Sequence, residues 1–207
     1  MLAVGHLGLG YLLGKGSSKL LGKKVNVPLI FALSVIPDAD ILISQLIGFD
    51  IHRGPMHSII ILSIAFLPAF AIYRKESLPY FLAVLSHPLI GDFITGGPVR
   101  LLWPVSMEPF GIGIDGSSAT NIVLESSIFL ISVVIMLKSN DMRRLFQPHL
   151  SNLLLSIPTF TVLLPAVLGI PLVVPLWLEP PHMVYMFLFL AATIITLLRF
   201  FKSGFSR

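Results

Sequence analysis

The chain has 207 residues, 55% of them hydrophobic and 12% charged, with a formal net charge of +4 and no cysteine. A soluble domain is about 45–50% apolar and about 25% charged, so a mean hydropathy of +0.92 marks an integral membrane protein. The apolar runs are continuous rather than alternating at period two, which argues against a β-barrel, and the lack of cysteine excludes disulfides and thiolate metal ligands.

Taken in order, Met1 to Gly14 is apolar around His6 and shorter than the roughly 20 residues a spanning helix needs. It is expected to be a short, tilted or re-entrant helix. With no basic residue ahead of it and no small-residue cleavage site after it, it is not expected to be a removed signal peptide. Lys15 to Lys24, rich in Lys and Gly, reads as a loop. Val27 to Phe49 can span but carries Pro37-Asp38-Ala39-Asp40 near its middle, where Pro37 should kink the helix. Asp50-Ile-His-Arg-Gly-Pro-Met-His-Ser58 follows, with a new helix expected to start at Gly54-Pro55 and His57 in its first turn.

Met56 to Tyr73 and Leu78 to Thr95 are the next spans, the second holding Ser86-His87-Pro88 and Asp92. Gly96 to Asn121 is a long Gly/Pro-containing connection. Ile122 to Leu137 spans, with Glu125 near its start. Leu150 to Leu178, interrupted by four prolines, is expected to be bent or partly re-entrant, and His182 to Phe201 is the last span. The expected fold is all-α: a polytopic transmembrane bundle of about six to seven helices, some kinked or re-entrant. It forms one integral membrane domain over residues 1–207.

The basic residues fall in alternate connections, Lys15–Lys24, Arg74–Glu76, Lys138–His149 and the Arg199–Arg207 tail. The positive-inside rule makes those cytoplasmic, so the net charge is a topology signal and no nucleic-acid partner is expected. His57, Asp92 and Glu125 then lie at the outer ends of their helices, His87 a turn deeper, and Asp38 and Asp40 near mid-membrane. Loop charge and polar depth point to one place, the outer half of the bundle.

A buried ionisable group costs roughly 2.5–3.5 kcal/mol at the centre of a membrane helix. Carboxylates and imidazoles gather here with almost no cations, and a shared divalent ion would satisfy them together, held by histidine nitrogen and carboxylate oxygen. Two spacings constrain such a site. Asp38 and Asp40, two apart, point to opposite sides of an unbroken helix. Either the Pro37 kink turns both inward, or one is a ligand and the other supports it. His87 and Asp92, five apart, share no face of a regular α-helix unless Pro88 permits a distortion. An ion or proton pathway through the same residues is the alternative, and a metal-stabilised scaffold without activity a third. His149 and His182 read as interfacial or capping residues, Trp103 and Trp177 as belt anchors, and Asp115 as a turn residue. Neither a His-Glu-x-x-His zinc motif nor a Gly-x-Ser-x-Gly elbow is present.

The order Gly5-His6, Pro37-Asp38-Ala39-Asp40, His52-Arg53-Gly54-x-x-His57-Ser58, Ser86-His87, Asp92, Leu101-Leu102-Trp103-Pro104 and Glu125 resembles the YdjM-like family of membrane-bound, metal-dependent hydrolases. The resemblance covers roughly the first 130 residues and leaves the later helices as additions. Met56 stands where the family usually has Thr, and the His-to-Asp spacing is one residue longer than usual. What the resemblance implies is hydrolytic chemistry with a bound divalent metal. A looser likeness to zinc phospholipase C and P1-type nucleases points to phosphoesters.

The expectation is then a membrane hydrolase using a metal-activated water on a lipid or lipid-linked, phosphorylated substrate. The metal is most simply zinc, with manganese or iron as alternatives. Expected ligands are His52, His57, His87, Asp92 and one or both of Asp38 and Asp40, with His6 and Glu125 as further ligands. Asp40 or Glu125 would act as general base, and Arg53 would hold the anionic group.

Overall fold

The computed structural model describes residues 1–170 and 173–204. Among them the chain is helical, with only isolated β-bridges at Thr95–Ile114 and Val99–Phe110. Helix α1, Ala3–Leu20, is the central element and packs against three others: α2 (Val27–Val35), α5 (Leu78–Ser86) and α6 (Ala119–Lys138). Its glycines make that possible. A Cβ on Gly8 would lie 2.7 Å from Ile128 Cγ2, and one on Gly10 would overlap Ser34 Cβ. Small residues at helix contacts are the usual route to close packing where lipid supplies no hydrophobic drive between helices.

The loop expected from Lys15 is helical as far as Leu20. Ser17 donates to Leu13 O at 2.7 Å and Ser18 to Lys15 O at 2.8 Å, so hydroxyls that often end helices here bond back into one. The chain then turns at Gly22, whose φ is +64°.

Asn26 caps α2 by accepting from Leu29 N at 3.1 Å. At Pro37 the helix tightens into the 3₁₀ turn Ile36–Asp38 and restarts as α3, Ala39–Ile47. The expected kink is therefore present. The helix expected to start at Pro55 starts later. Pro55–His57 is a separate 3₁₀ turn, and α4 is Ile59–Tyr73, capped by Ser58, whose Oγ accepts from Ile60 N at 3.2 Å. That leaves α4 15 residues long, about 22 Å. Helix α5 runs on through a π turn, His87–Asp92.

After α6, the short α7 (Asp141–Leu145) leads to α8, Leu150–Val167, which mixes 3₁₀, α and π turns around its prolines, and the chain ends in α9, Glu179–Gly204. Among the described residues, four segments are long and apolar enough to cross a membrane: Val27–Ile47, α6, α8 and Leu176–Lys202. Their outward side chains, such as Ile131, Val134 and Leu137 on α6, are exposed apolar surface suited to lipid. Inside, Tyr11, Phe31, Tyr185 and Phe189 form an aromatic stack that ties α9 to α1 and α2.

Candidate metal centre

The helices that carry the polar residues start or stop at one end of the bundle. Helices α1, α4 and α6 begin there, α5 ends there through its π turn, and the Pro37 break opens α2–α3 beside them. At the break both the Asp38 and the Asp40 carboxylates turn inward. Asp38 is 7% and Asp40 0% exposed.

The π turn does the same for His87 and Asp92. Its backbone bond spans five residues instead of four, so a pair five apart stands as a pair four apart does on an α-helix. The residue that makes the spacing long is the one the π turn absorbs. His87 Nε2 and Asp92 Oδ2 are 3.4 Å apart.

Two overlapping groups of four result: Asp38, His57, His87 and Asp92; and Asp38, Asp40, His52 and His57. In each, one ligand atom per residue lies within 4.8 Å of the others. Asp38 and His57 belong to both. His57 stands between the two, with Nδ1 3.1 Å from Asp40 Oδ2 and Nε2 3.1 Å from Asp92 Oδ2 and 3.6 Å from Asp38 Oδ1.

His87 shows what this geometry asks for. Its Nδ1 lies 2.8 Å from the carbonyl of Ser34, which can only accept, so the ring proton sits there. The Nε2 lone pair then faces Asp38 Oδ1 at 3.2 Å and Asp92 Oδ2, lone pair against lone pair, and needs a proton or a cation between them. His57 Nδ1 and Nε2, Asp40 Oδ2 and Asp92 Oδ2 are also buried without a hydrogen-bond partner. Unpaired buried polar atoms are costly and rare, and four of them converge here. All the donors are imidazole nitrogen or carboxylate oxygen, a set that suits a divalent cation. The residues fit the metal that the sequence implies.

His52 is held from two sides. Asp50 accepts its backbone N–H at 2.8 Å, and Asp40 Oδ1 meets its Nδ1 at 2.7 Å, which leaves Nε2 toward the interior cavity. A carboxylate behind an imidazole fixes the ring and raises its basicity.

His6 stands beside the first group rather than in it. Its ring stacks on His87 with centroids 3.5 Å apart, and its Nε2 is 3.4 Å from Asp92 Oδ1, which also takes the Met1 amino group at 3.3 Å. Gly91 makes this stacking possible, since a Cβ there would overlap the His6 ring.

Glu125 is in neither group. Its Oε1 accepts from Leu2 N at 2.8 Å and from Asn121 Nδ2 at 2.8 Å, and its Oε2 from Gly5 N at 3.0 Å. A fully buried carboxylate thus satisfies the free N–H groups at the start of α1 and complements that helix's dipole. Its oxygens are thus taken by N–H groups of Leu2, Gly5 and Asn121, outside the two His/Asp groups. Ser58 of the His-Arg-Gly-x-x-His-Ser motif is likewise structural: besides capping α4 it donates to Trp103 O at 2.6 Å, pinning the 96–118 connection over the site.

The residues read as bystanders lie outside both groups. His149 caps the first turn of α8 by accepting from Ser151 N at 3.2 Å, and His182 Nδ1 meets Leu178 O at 2.7 Å. Asp115 makes a turn with Ser117, whose N–H and hydroxyl both lie 2.7 Å from Oδ1; these bonds hold the Asp115 carboxyl below its usual pKa. One contribution was not expected from sequence. Thr161, Val162, Pro165 and Ala166 of α8 wall the cavity that Asp38, His52, Arg53 and Asp92 line, so a late helix closes the site.

A model of the YdjM inner membrane protein family matches residues 1–203, and the chain belongs to that family. The match extends well past the 130 residues in which the resemblance was legible, in keeping with the part α8 takes in the cavity. With its four membrane-crossing segments the chain is a multi-pass integral membrane protein. No curated relative and no solved structure matches it.

Proposed function

We propose that this member of the YdjM inner membrane protein family is a metal-dependent hydrolase embedded in the membrane, acting on a phosphoester of a lipid or lipid-linked substrate. The observation that carries the reading is the pair of overlapping His/Asp groups, in which the His87 Nε2 lone pair faces the buried carboxylates of Asp38 and Asp92. Asp38, His57, His87 and Asp92 would hold one ion, and His52, backed by Asp40, would join Asp38 at a second. Zinc suits this donor set, as do manganese and iron. A bound divalent ion lowers the pKa of water toward about 7 and offsets charge on a phosphoryl oxygen.

The chain's own residues do the rest. Hydrolysis joins the water oxygen to phosphorus as the bond to the departing alcohol breaks, and a proton must pass from the water to the departing oxygen. We assign that transfer to Asp40, a fully buried carboxylate whose Oδ2 lies 3.1 Å from His57 Nδ1. Arg53 borders the cavity and, among the described residues, has no carboxylate within ion-pair distance, so its guanidinium is free for the phosphate. The apolar wall from α3 and α8 keeps bulk water from the reacting groups.

The groups sit at the bundle end opposite Lys15, Arg74 and Lys138, and the charge rule supports an outer-half site. Purified protein in phospholipid vesicles tests the reading. Ester cleavage that requires an added divalent metal, without ion flux, supports it; flux without cleavage overturns it in favour of a transport path. Arg53→Lys should retain the metal and lower turnover about tenfold or more, because an ammonium cannot reproduce a bidentate grip.

A further inference from the structure

Arg53 lies between two cavities of very different size. On one side is the small space beside Asp38, His52 and Asp92, about 50 Å³, room for an ion or a few waters. On the other is an open cavity of about 480 Å³ lined by Gly96, Gly97, Gly116, Ser117 and Asp115. A volume of that order accommodates a small organic group.

The chain holds Arg53 between them at some cost. Its φ is +59°, a conformation uncommon for a residue with a side chain, and such strain clusters at functional sites. Its guanidinium rests against backbone at Gly96 and Gly97, where a Cβ on either would overlap Nη2 or Nη1. Its Nε is buried and, among the described residues, has no hydrogen-bond partner. The glycines therefore make the slot that lets one guanidinium reach both spaces.

Building on the phosphoester reading, we infer that the glycine-lined cavity receives a polar substituent of the phosphate, so that the substrate is a phosphodiester lipid and not a phosphomonoester. A phosphate gripped by Arg53 turns an oxygen toward the His/Asp groups, its diacylglycerol ester departs along the apolar wall of Ile41, Leu42, Val162 and Ala166, and a polar second substituent then needs other space. The small cavity cannot hold it and the large one can. The Ser117 hydroxyl and Asp115 carboxylate on its wall suit a headgroup bearing hydroxyl or amine donors. A monoester would leave this space filled only with water.

The test uses Gly116, which lines the cavity and where an added Cβ meets nothing within 4 Å, so a larger side chain is accommodated there without collision. Parent, Gly116→Ala and Gly116→Leu proteins, each checked for metal content and monodispersity, are given vesicles of phosphatidylglycerol or of phosphatidic acid with the same acyl chains. The parent should cleave phosphatidylglycerol in preference. The substitutions should lower that cleavage in order of size, by about tenfold or more for Leu, with metal content unchanged and any phosphatidic acid cleavage changed less than about twofold. Preference for phosphatidic acid, or an unaltered ratio in the Leu variant, would overturn the cavity assignment and leave the hydrolase reading standing. Cleavage of neither lipid by the metal-loaded parent would overturn both.

Discussion

The two ends of this bundle bury charged groups in opposite ways. At the basic end, Asp141 is 1% exposed, yet its Oδ2 takes the Lys15 ammonium at 2.6 Å and the Tyr11 hydroxyl at 2.9 Å, with Arg144 at 3.6 Å from Oδ1. That carboxylate is neutralised by the chain itself. At the other end three carboxylates outnumber the donors around them: His52 Nδ1 meets Asp40 Oδ1 and the Met1 amino group meets Asp92 Oδ1, while the His87 Nε2 lone pair faces Asp38 and Asp92. The first arrangement is closed and the second is short of positive charge. Burial alone does not separate a structural ion pair from a binding site; the balance of donors and acceptors does.

The sharpest way to break this contrast is His57→Ala, which removes the residue common to both groups. Hydrolysis should fall about 10³-fold or more, as expected when several kcal/mol of charge stabilisation is lost, measured on vesicle substrate at saturating metal. Asp40→Asn keeps the shape but weakens the support behind His52, and metal affinity should drop about 10–100-fold in a competition titration. At the closed end, Asp141→Ala leaves Tyr11 and Lys15 without their acceptor. Stability in detergent should fall by about 1–3 kcal/mol while metal content stays at the parent level; coupled loss of both would contradict the separation of the two ends. Smallest is His149→Ala, which removes one cap from α8 and should cost about 0.5–1 kcal/mol with activity intact.

Most of the helices and six of the residues in the two groups were legible in the sequence, because apolar runs, Pro37 and the His-Arg-Gly-x-x-His-Ser motif are local signals. What was not legible depends on contacts across the bundle. Glu125 read as a ligand because a carboxylate at a helix start looks the same in sequence whether it meets a metal or the N–H groups of another helix; its partners Leu2 and Gly5 are more than a hundred residues away. The five-residue spacing of His87 and Asp92 looked like a defect and is the register of a π turn, for which Pro88 was the only local hint. Helix α8 carries no ionisable residue toward the cavity, so nothing in its composition marked it as a wall.

His87 and His182 offer a matched pair for the central claim. Both are fully buried, and each has Nδ1 against a carbonyl, at 2.8 Å from Ser34 O and 2.7 Å from Leu178 O. Only His87 turns its Nε2 to carboxylates. Elemental analysis of detergent-purified parent, His87→Ala and His182→Ala proteins should find stoichiometric zinc, manganese or iron in the parent and in His182→Ala, and a clear loss in His87→Ala. A parent free of metal even after metal is added back, or equal metal in all three, would contradict the account.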